Sequence, residues 1–152
     1  MFFKQFYDKH LSQASYLIGC QKTGEAMIID PIRDLSSYIR VADEEGLTIT
    51  HAAETHIHAD FASGIRDVAI KLNASIYVSG ESDDMLGYKN MPNHTHFVQH
   101  NDDIYVGNIK LKVLHTPGHT PESISFLLTD KGAEAQVPMG LFSGDFIFVG
   151  DI

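Results

Sequence analysis

The sequence predicts a layered domain of mixed strand and helix, and three observations predict it. Between residues 25 and 78 short apolar runs alternate with stretches of helical spacing; glycine-containing turns separate paired apolar runs near both ends; and 152 residues suit one domain able to bury a full core without disulfides. Layers follow from that alternation.

Taken in order, Phe2 to Tyr7 is the first strand, and Ser15 to Cys20 and Glu25 to Asp30 flank the turn Gln21-Lys22-Thr23-Gly24 as a hairpin. Asp30-Pro31 ends the third strand, because proline lacks the donor that a ladder needs. From Leu35 to Glu45, Leu35, Ile39 and Ala42 recur at helical spacing, with Gly46 placed to cap the helix. Leu47 to Ala53 reads as a buried strand delivering Thr55 to Asp60 from its carboxyl end, where α/β sheets carry functional loops. A second helix is expected over Phe61 to Leu72 and a strand at Ile76 to Val78.

Residues 80 to 103 are polar and hold Gly80, Gly87, Pro92 and Asn93, which predicts loop with a short helix at Asp83 to Tyr88. Ile104 to Val106 and Ile109 to His115 alternate about Gly107-Asn108, a hairpin signal. Ser123 to Leu128 and Leu141 to Ser143 add strands. This much sheet needs cover, and helices near residues 35 and 61 are the available supply. Because the apolar run after Phe146 also lacks a cap or polar tail, residues 1–152 are expected to be the N-terminal part of one domain that continues past Ile152.

Composition narrows the function classes. A formal charge of -9, with no basic stripe, argues against a nucleic-acid surface. A single cysteine, Cys20, excludes an internal disulfide framework and fits a reducing compartment. Lys4 and Asp8 interrupt the N-terminus where an export signal needs an apolar run, and no later run is long enough to cross a bilayer. A cytoplasmic protein without nucleic-acid or membrane partners is expected.

The chemistry-bearing stretch is Thr55-His56-Ile57-His58-Ala59-Asp60, with two imidazoles and a carboxylate directly after a strand. Neutral imidazole and carboxylate are the usual ligands for zinc or non-haem iron. His115-Thr116-Pro117-Gly118-His119-Thr120-Pro121 and Ser143-Gly144-Asp145 have the same character. Single histidines elsewhere (His10, His51, His94, His96, His100) are expected to be surface or hydrogen-bonded residues, and Cys20 a small core hydrophobe.

In this order and spacing, the three motifs resemble the metallo-β-lactamase superfamily. Within it, Glu54-Thr55-His56 through Asp60, the hairpin ending in Asp30-Pro31, and Thr116 to Pro121 resemble the persulfide dioxygenases, also called sulfur dioxygenases or ETHE1-like proteins, especially the bacterial kind fused to C-terminal rhodanese domains. The resemblance implies an α+β, αββα sandwich, here its N-terminal and incomplete portion. It implies one Fe(II) held by His56, His119 and Asp145, with zinc as substitute, and His58 and Asp60 beside the metal as catalytic groups. Phe61 stands where relatives often carry a histidine for a second metal, which disfavours a two-metal hydrolytic centre. His115 is assigned a positioning or structural role, and Gly118 a conformational one that lets His119 turn inward.

The activity so implied oxidises a low-molecular-weight thiol persulfide such as glutathione persulfide with O2 and water, giving sulfite and the free thiol. Two other readings stay open: metal-dependent thioester hydrolysis of the glyoxalase II type, with Asp60 orienting a bound water, and a metal-free interaction module that keeps the fold alone.

Overall fold

The computed structural model describes residues 1–81, 87–133 and 135–147. Strands β1 (Phe2–Asp8), β2 (Gln13–Cys20) and β3 (Glu25–Ile29) form an antiparallel meander, which helices α1 (Ser36–Glu44) and α2 (Ile65–Leu72) extend through the parallel strands β4 (Thr48–Ala53), β5 (Ser75–Ser79) and β6 (Thr95–Val98). The result is a six-stranded sheet in the order β1-β2-β3-β4-β5-β6. A second sheet, antiparallel throughout, runs β10-β9-β8-β7 from β7 (Asp103–Val106), β8 (Ile109–His115), β9 (Ile124–Asp130) and β10 (Gly140–Phe142).

Two apolar cores follow from this stacking. On one face of the first sheet Leu17, Ile28, Ala52 and Ile76 pack beneath Tyr38 and Val41 of α1 and Val68 of α2. On the other face Ile18, Met27 and Ile29 meet Leu111, Val113, Phe126 and Leu128 of the second sheet. The sheets therefore cover one another, and the two helices need cover only the first. The outer face of the second sheet carries Lys110 and Lys112 together with the exposed Tyr105 and Leu141, and no helix among the described residues lies on it.

The helices obey their local signals with one shift. Gly46, at φ +66, stands just past Glu45, the C-terminal cap of α1, and turns the chain out of the helix; Asn73, at φ +53, is itself the left-handed cap of α2. α2 begins at Ile65, however, four residues later than the apolar pattern suggests. Residues before it are claimed by tertiary pairing, since Ser63 bridges Ile32 and the Gly64 N–H donates to Pro31 O at 2.8 Å.

Strand β6 lies within the stretch expected to be loop. Its residues Thr95 and His96 give no apolar alternation; what makes it a strand is the parallel partner β5 at a sheet edge, where one side of the backbone stays in solvent. The short helix expected at Asp83 to Tyr88 falls largely on residues 82–86, outside those described. No described helix is long and apolar enough to cross a membrane.

Gly64 supplies a test of the loop that precedes α2. A Cβ there would collide with the Ile32 carbonyl and press on Leu35, so Gly64→Ala should cost about 1–3 kcal/mol, the usual range for overpacking. Chemical denaturation should show a lower midpoint at unchanged slope; an unshifted midpoint would mean that the loop yields freely.

Candidate metal centre

Each of the three motifs sits just beyond a strand. β4 runs into Thr55 and His56, the β8–β9 connection carries His119, and the turn after β10 carries Asp145. Three turns thus meet at one end of the sandwich. One ligand atom each from His56, His119 and Asp145 lies within 4.8 Å of the others, the separation that lets three side chains share one cation. The His56 and His119 rings stand edge to face with centroids 5.0 Å apart, and His119 Nε2 is 3.6 Å from Asp145 Oδ2.

Exposure divides the trio. His56 is 3% exposed, whereas the side chains of His119 and Asp145 are about half exposed, at 49% and 47%, and open toward solvent. Burial holds the His56 pKa below its ordinary value, with the neighbouring His58 adding to the effect, so the ring is kept neutral as a ligand must be.

The tautomer of that ring is set by a buried relay that starts at Asp30. The Asp30 carboxylate, at the end of β3 in a left-handed conformation (φ +52), accepts the Thr55 N–H at 2.7 Å on Oδ1 and the Thr55 hydroxyl at 2.9 Å on Oδ2. With its proton given to Asp30, Thr55 Oγ1 can only accept from His56 Nδ1, 3.0 Å away. Nδ1 therefore carries the hydrogen, and Nε2 keeps a free lone pair for a cation. Such outer hydrogen bonds orient metal-binding histidines and raise their basicity. The sequence reads Asp30-Pro31 as the end of a strand and as part of the family resemblance; the hydrogen bonds of Asp30 to Thr55, 25 residues away, have no local signal.

His58 and Asp60 lie beside the trio without joining it. His58 Nε2 donates to Asp30 Oδ1 at 3.2 Å, and its ring packs 4.4 Å from that of Phe61. Burial pulls the His58 pKa down, but the Asp30 hydrogen bond and charge outweigh it and leave the pKa raised. Asp60 is exposed. Together with Asp145 the two residues line a cleft of about 630 Å³ that also takes in Tyr7, Tyr16 and Ile147.

Two buried acids brace the loops. Glu122, 2% exposed, accepts the Ile57 N–H at 2.8 Å, and the Ile124 N–H donates to Thr55 O at 2.8 Å, so the two histidine-bearing segments are tied directly. Glu54 accepts the Ser63 hydroxyl, and burial pushes its pKa up to about 7. Neither acid was singled out by sequence for this role; the only signal was a charged residue adjoining each motif.

His115 donates from Nε2 to Pro121 O at 2.9 Å, which closes the loop around His119. Gly118 departs from its expected role: a Cβ there would meet nothing within 4 Å and its φ is not positive. The structure puts that demand on Gly144 instead, at φ +52, where a Cβ would strike the Thr55 side chain. Among the other histidines, His51 and His96 stack on either face of Tyr77, and His100 Nδ1 accepts the His115 N–H at 3.1 Å. Cys20 is buried and free.

Residues 9–152 match the model of the metallo-beta-lactamase superfamily. A hydroxyacylglutathione hydrolase from Rhodospirillum rubrum is 31% identical over 134 residues, which are 88% of this chain and 47% of that protein. A crystal structure of a metallo-beta-lactamase from Staphylococcus aureus subsp. aureus COL is 97% identical with a TM-score of 0.98, covering 100% of this chain and 45% of that one. ETHE1 from Myxococcus xanthus is 34% identical with a TM-score of 0.72, covering 84% of this chain and 54% of that one. The chain therefore spans about half the length of these relatives.

The relay from Asp30 predicts a specific loss. In Asp30→Asn, a residue type that tolerates left-handed backbone, the amide would donate to Thr55 Oγ1, turn its hydroxyl toward His56 Nδ1 and move the ring hydrogen to Nε2. Competition with a chromophoric chelator should show zinc or Fe(II) affinity lower by about 10–100-fold. Native affinity in a folded Asp30→Asn protein would refute the relay.

Proposed function

The chain belongs to the metallo-beta-lactamase superfamily, and from that premise we propose that the complete enzyme built on this segment is a persulfide dioxygenase with one non-haem iron. The observation that carries the proposal is the donor set: two imidazoles and one carboxylate within 4.8 Å, with the apolar Phe61 packed on His58 where a second cation would need another donor. Two histidines and a carboxylate on one side of Fe(II) leave positions free for dioxygen and substrate. The likeness to ETHE1 at 34% identity supports the same reading.

The donor chemistry fits a single divalent metal. His56 offers Nε2 because Asp30 and Thr55 hold the hydrogen on Nδ1, and Asp145 supplies negative charge at the solvent side. When bound, iron would supply the redox centre at which dioxygen and the persulfide sulfur meet. The protein's share is positional. Glu122 holds the His56 and His119 loops in register, Gly144 lets the Asp145 turn approach Thr55, and His58 with Asp60 on the cleft wall are proposed to hold the water consumed with O2. One thiol persulfide, one O2 and one water then give one thiol, one sulfite and two protons. The substrate is proposed to be a small thiol persulfide in a reducing cytoplasm, a setting in keeping with the free thiol of Cys20.

A thioester hydrolase is the second reading, favoured by the 31% identity to a hydroxyacylglutathione hydrolase. Oxygen-electrode traces with sulfite quantification separate the two. The iron-loaded protein, at the length of its relatives, should take up O2 only with persulfide and release an equal amount of sulfite. Asp145→Ala should lose metal and turnover by at least the roughly 10–100-fold that outer hydrogen-bond partners cost. Hydrolysis of a glutathione thioester without persulfide-dependent O2 uptake would replace the dioxygenase with the hydrolase, and absence of metal and of both reactions would leave a non-catalytic module.

A further inference from the structure

One wall of the cleft beside the metal trio is formed by the turn that joins β1 to β2 and by the start of β2, and it holds a buried amide that the reaction itself does not use. Gln13 is 8% exposed, and its Nε2 donates to Ala14 O at 3.1 Å and to Asp30 O at 2.9 Å. Carbonyl oxygens only accept, so the amide nitrogen is the end that faces them, and both of its hydrogens are spent. The other end, Oε1, is left to the cleft that Gln13 lines, and no described group donates to it. A largely buried acceptor without a donor is costly, and a ligand that brings one offsets the cost.

The amide is also fixed relative to the metal ligands. Asp30, whose backbone oxygen holds Gln13, carries on its side chain the Thr55 hydroxyl that in turn faces His56 Nδ1. Turning the amide over would set Oε1 against two carbonyls, so Oε1 keeps its place whatever enters the cleft. Its neighbours on the wall have spent their hydrogens inward: the Ser143 hydroxyl lies against Gly144 O at 3.2 Å and Ile147 O at 3.3 Å, and His58 Nε2 donates to Asp30. The Tyr7 and Tyr16 hydroxyls can give or take. Gln13 Oε1 and the Asp60 carboxylate only take, so the wall selects for donors on the substrate.

We propose that Gln13 is a specificity-determining residue of the persulfide site: its Oε1 accepts the N–H nearest the sulfur, so the substrate class is the persulfide of a cysteine- or cysteamine-derived thiol, in which that nitrogen stands two carbons from sulfur. The inference rests on the dioxygenase reading and states which thiols it admits. Simple alkyl persulfides lack the donor, leave Oε1 unpaired and are disfavoured.

Oxygen-uptake kinetics on the iron-loaded protein, at the length of its relatives, test it with two probes that differ at one atom: the persulfide of N-acetylcysteamine and that of 2-mercaptoethyl acetate, its ester, in which oxygen replaces N–H. The amide should be favoured by about five- to ten-fold in kcat/KM, the worth of one hydrogen bond, with the difference in KM rather than kcat because the bond is present before and during the reaction. In Gln13→Leu the ratio of the two probes should fall to about one, and taking the ratio within one variant cancels any loss from the missing brace on Asp30. Gln13→Lys, whose Nζ can still donate to Asp30 O and Ala14 O but cannot accept, should give the same collapse and carries the test if the leucine variant does not fold. Equal kcat/KM for the two probes, or a preference for the amide that survives in a Gln13 variant, would overturn the proposal and leave the dioxygenase standing. Absence of O2 uptake with both probes and with glutathione persulfide would remove the dioxygenase and this inference together.

Discussion

The site is built around one buried carboxylate. Asp30 is 3% exposed, and an ionised carboxyl taken from water costs several kcal/mol unless donors replace the lost hydration. Its side chain receives three: the Thr55 amide, the Thr55 hydroxyl and His58 Nε2. All come from the segment after β4, so satisfying Asp30 and shaping the loop that carries His56 are the same event. Gln13, whose Nε2 donates to Asp30 O at 2.9 Å, and Ala53, whose carbonyl accepts the Asp30 N–H at 2.9 Å, hold the backbone of that residue from either side.

That meeting depends on register. β3 and β4 run parallel with Ile29 opposite Ala53, and a shift between Ala26 and Met27 admits one extra residue, Thr50, into β4. Side chains alternate along a strand, so an extra residue exchanges the faces beyond it. Ile49 and Ala52, three apart, consequently both face the helices, while Ala53 turns to the second sheet. Without the bulge the end of β4 would present its residues to the wrong layer, and Thr55 would miss Asp30.

The second sheet brings the remaining donors to the same end. Antiparallel pairing of β8 with β9 and of β9 with β10 returns the chain so that the His119 loop and the Asp145 turn emerge beside Thr55. Buried contacts then join them: Glu122 to Ile57, Ile124 to Thr55, and Gly144 against the Thr55 side chain. The half-exposed His119 and Asp145 are thus placed by groups that are themselves out of solvent, which keeps the open side of the site from deciding its own geometry.

The sequence by itself determined the layered class, most strands, both helices and the candidate ligand segments, because apolar periodicity, turn residues and ligand chemistry are local properties written in neighbouring positions. Thr55 to Asp60, Gly118-His119 and Ser143 to Asp145 could be picked out by residue type alone. Only the tertiary structure decided what links them. β6 is a strand because β5 offers it a partner, α2 starts late because Gly64 and Ser63 are taken by the chain near Pro31, and of the two glycines beside the site, Gly118 and Gly144, it is Gly144 whose spatial neighbour Thr55 leaves no room for a Cβ. Asp30 and Glu122 reach donors 25 and 65 residues away, and hydrogen bonds across such separations leave no trace in local pattern because the partners become neighbours only when both sheets have closed.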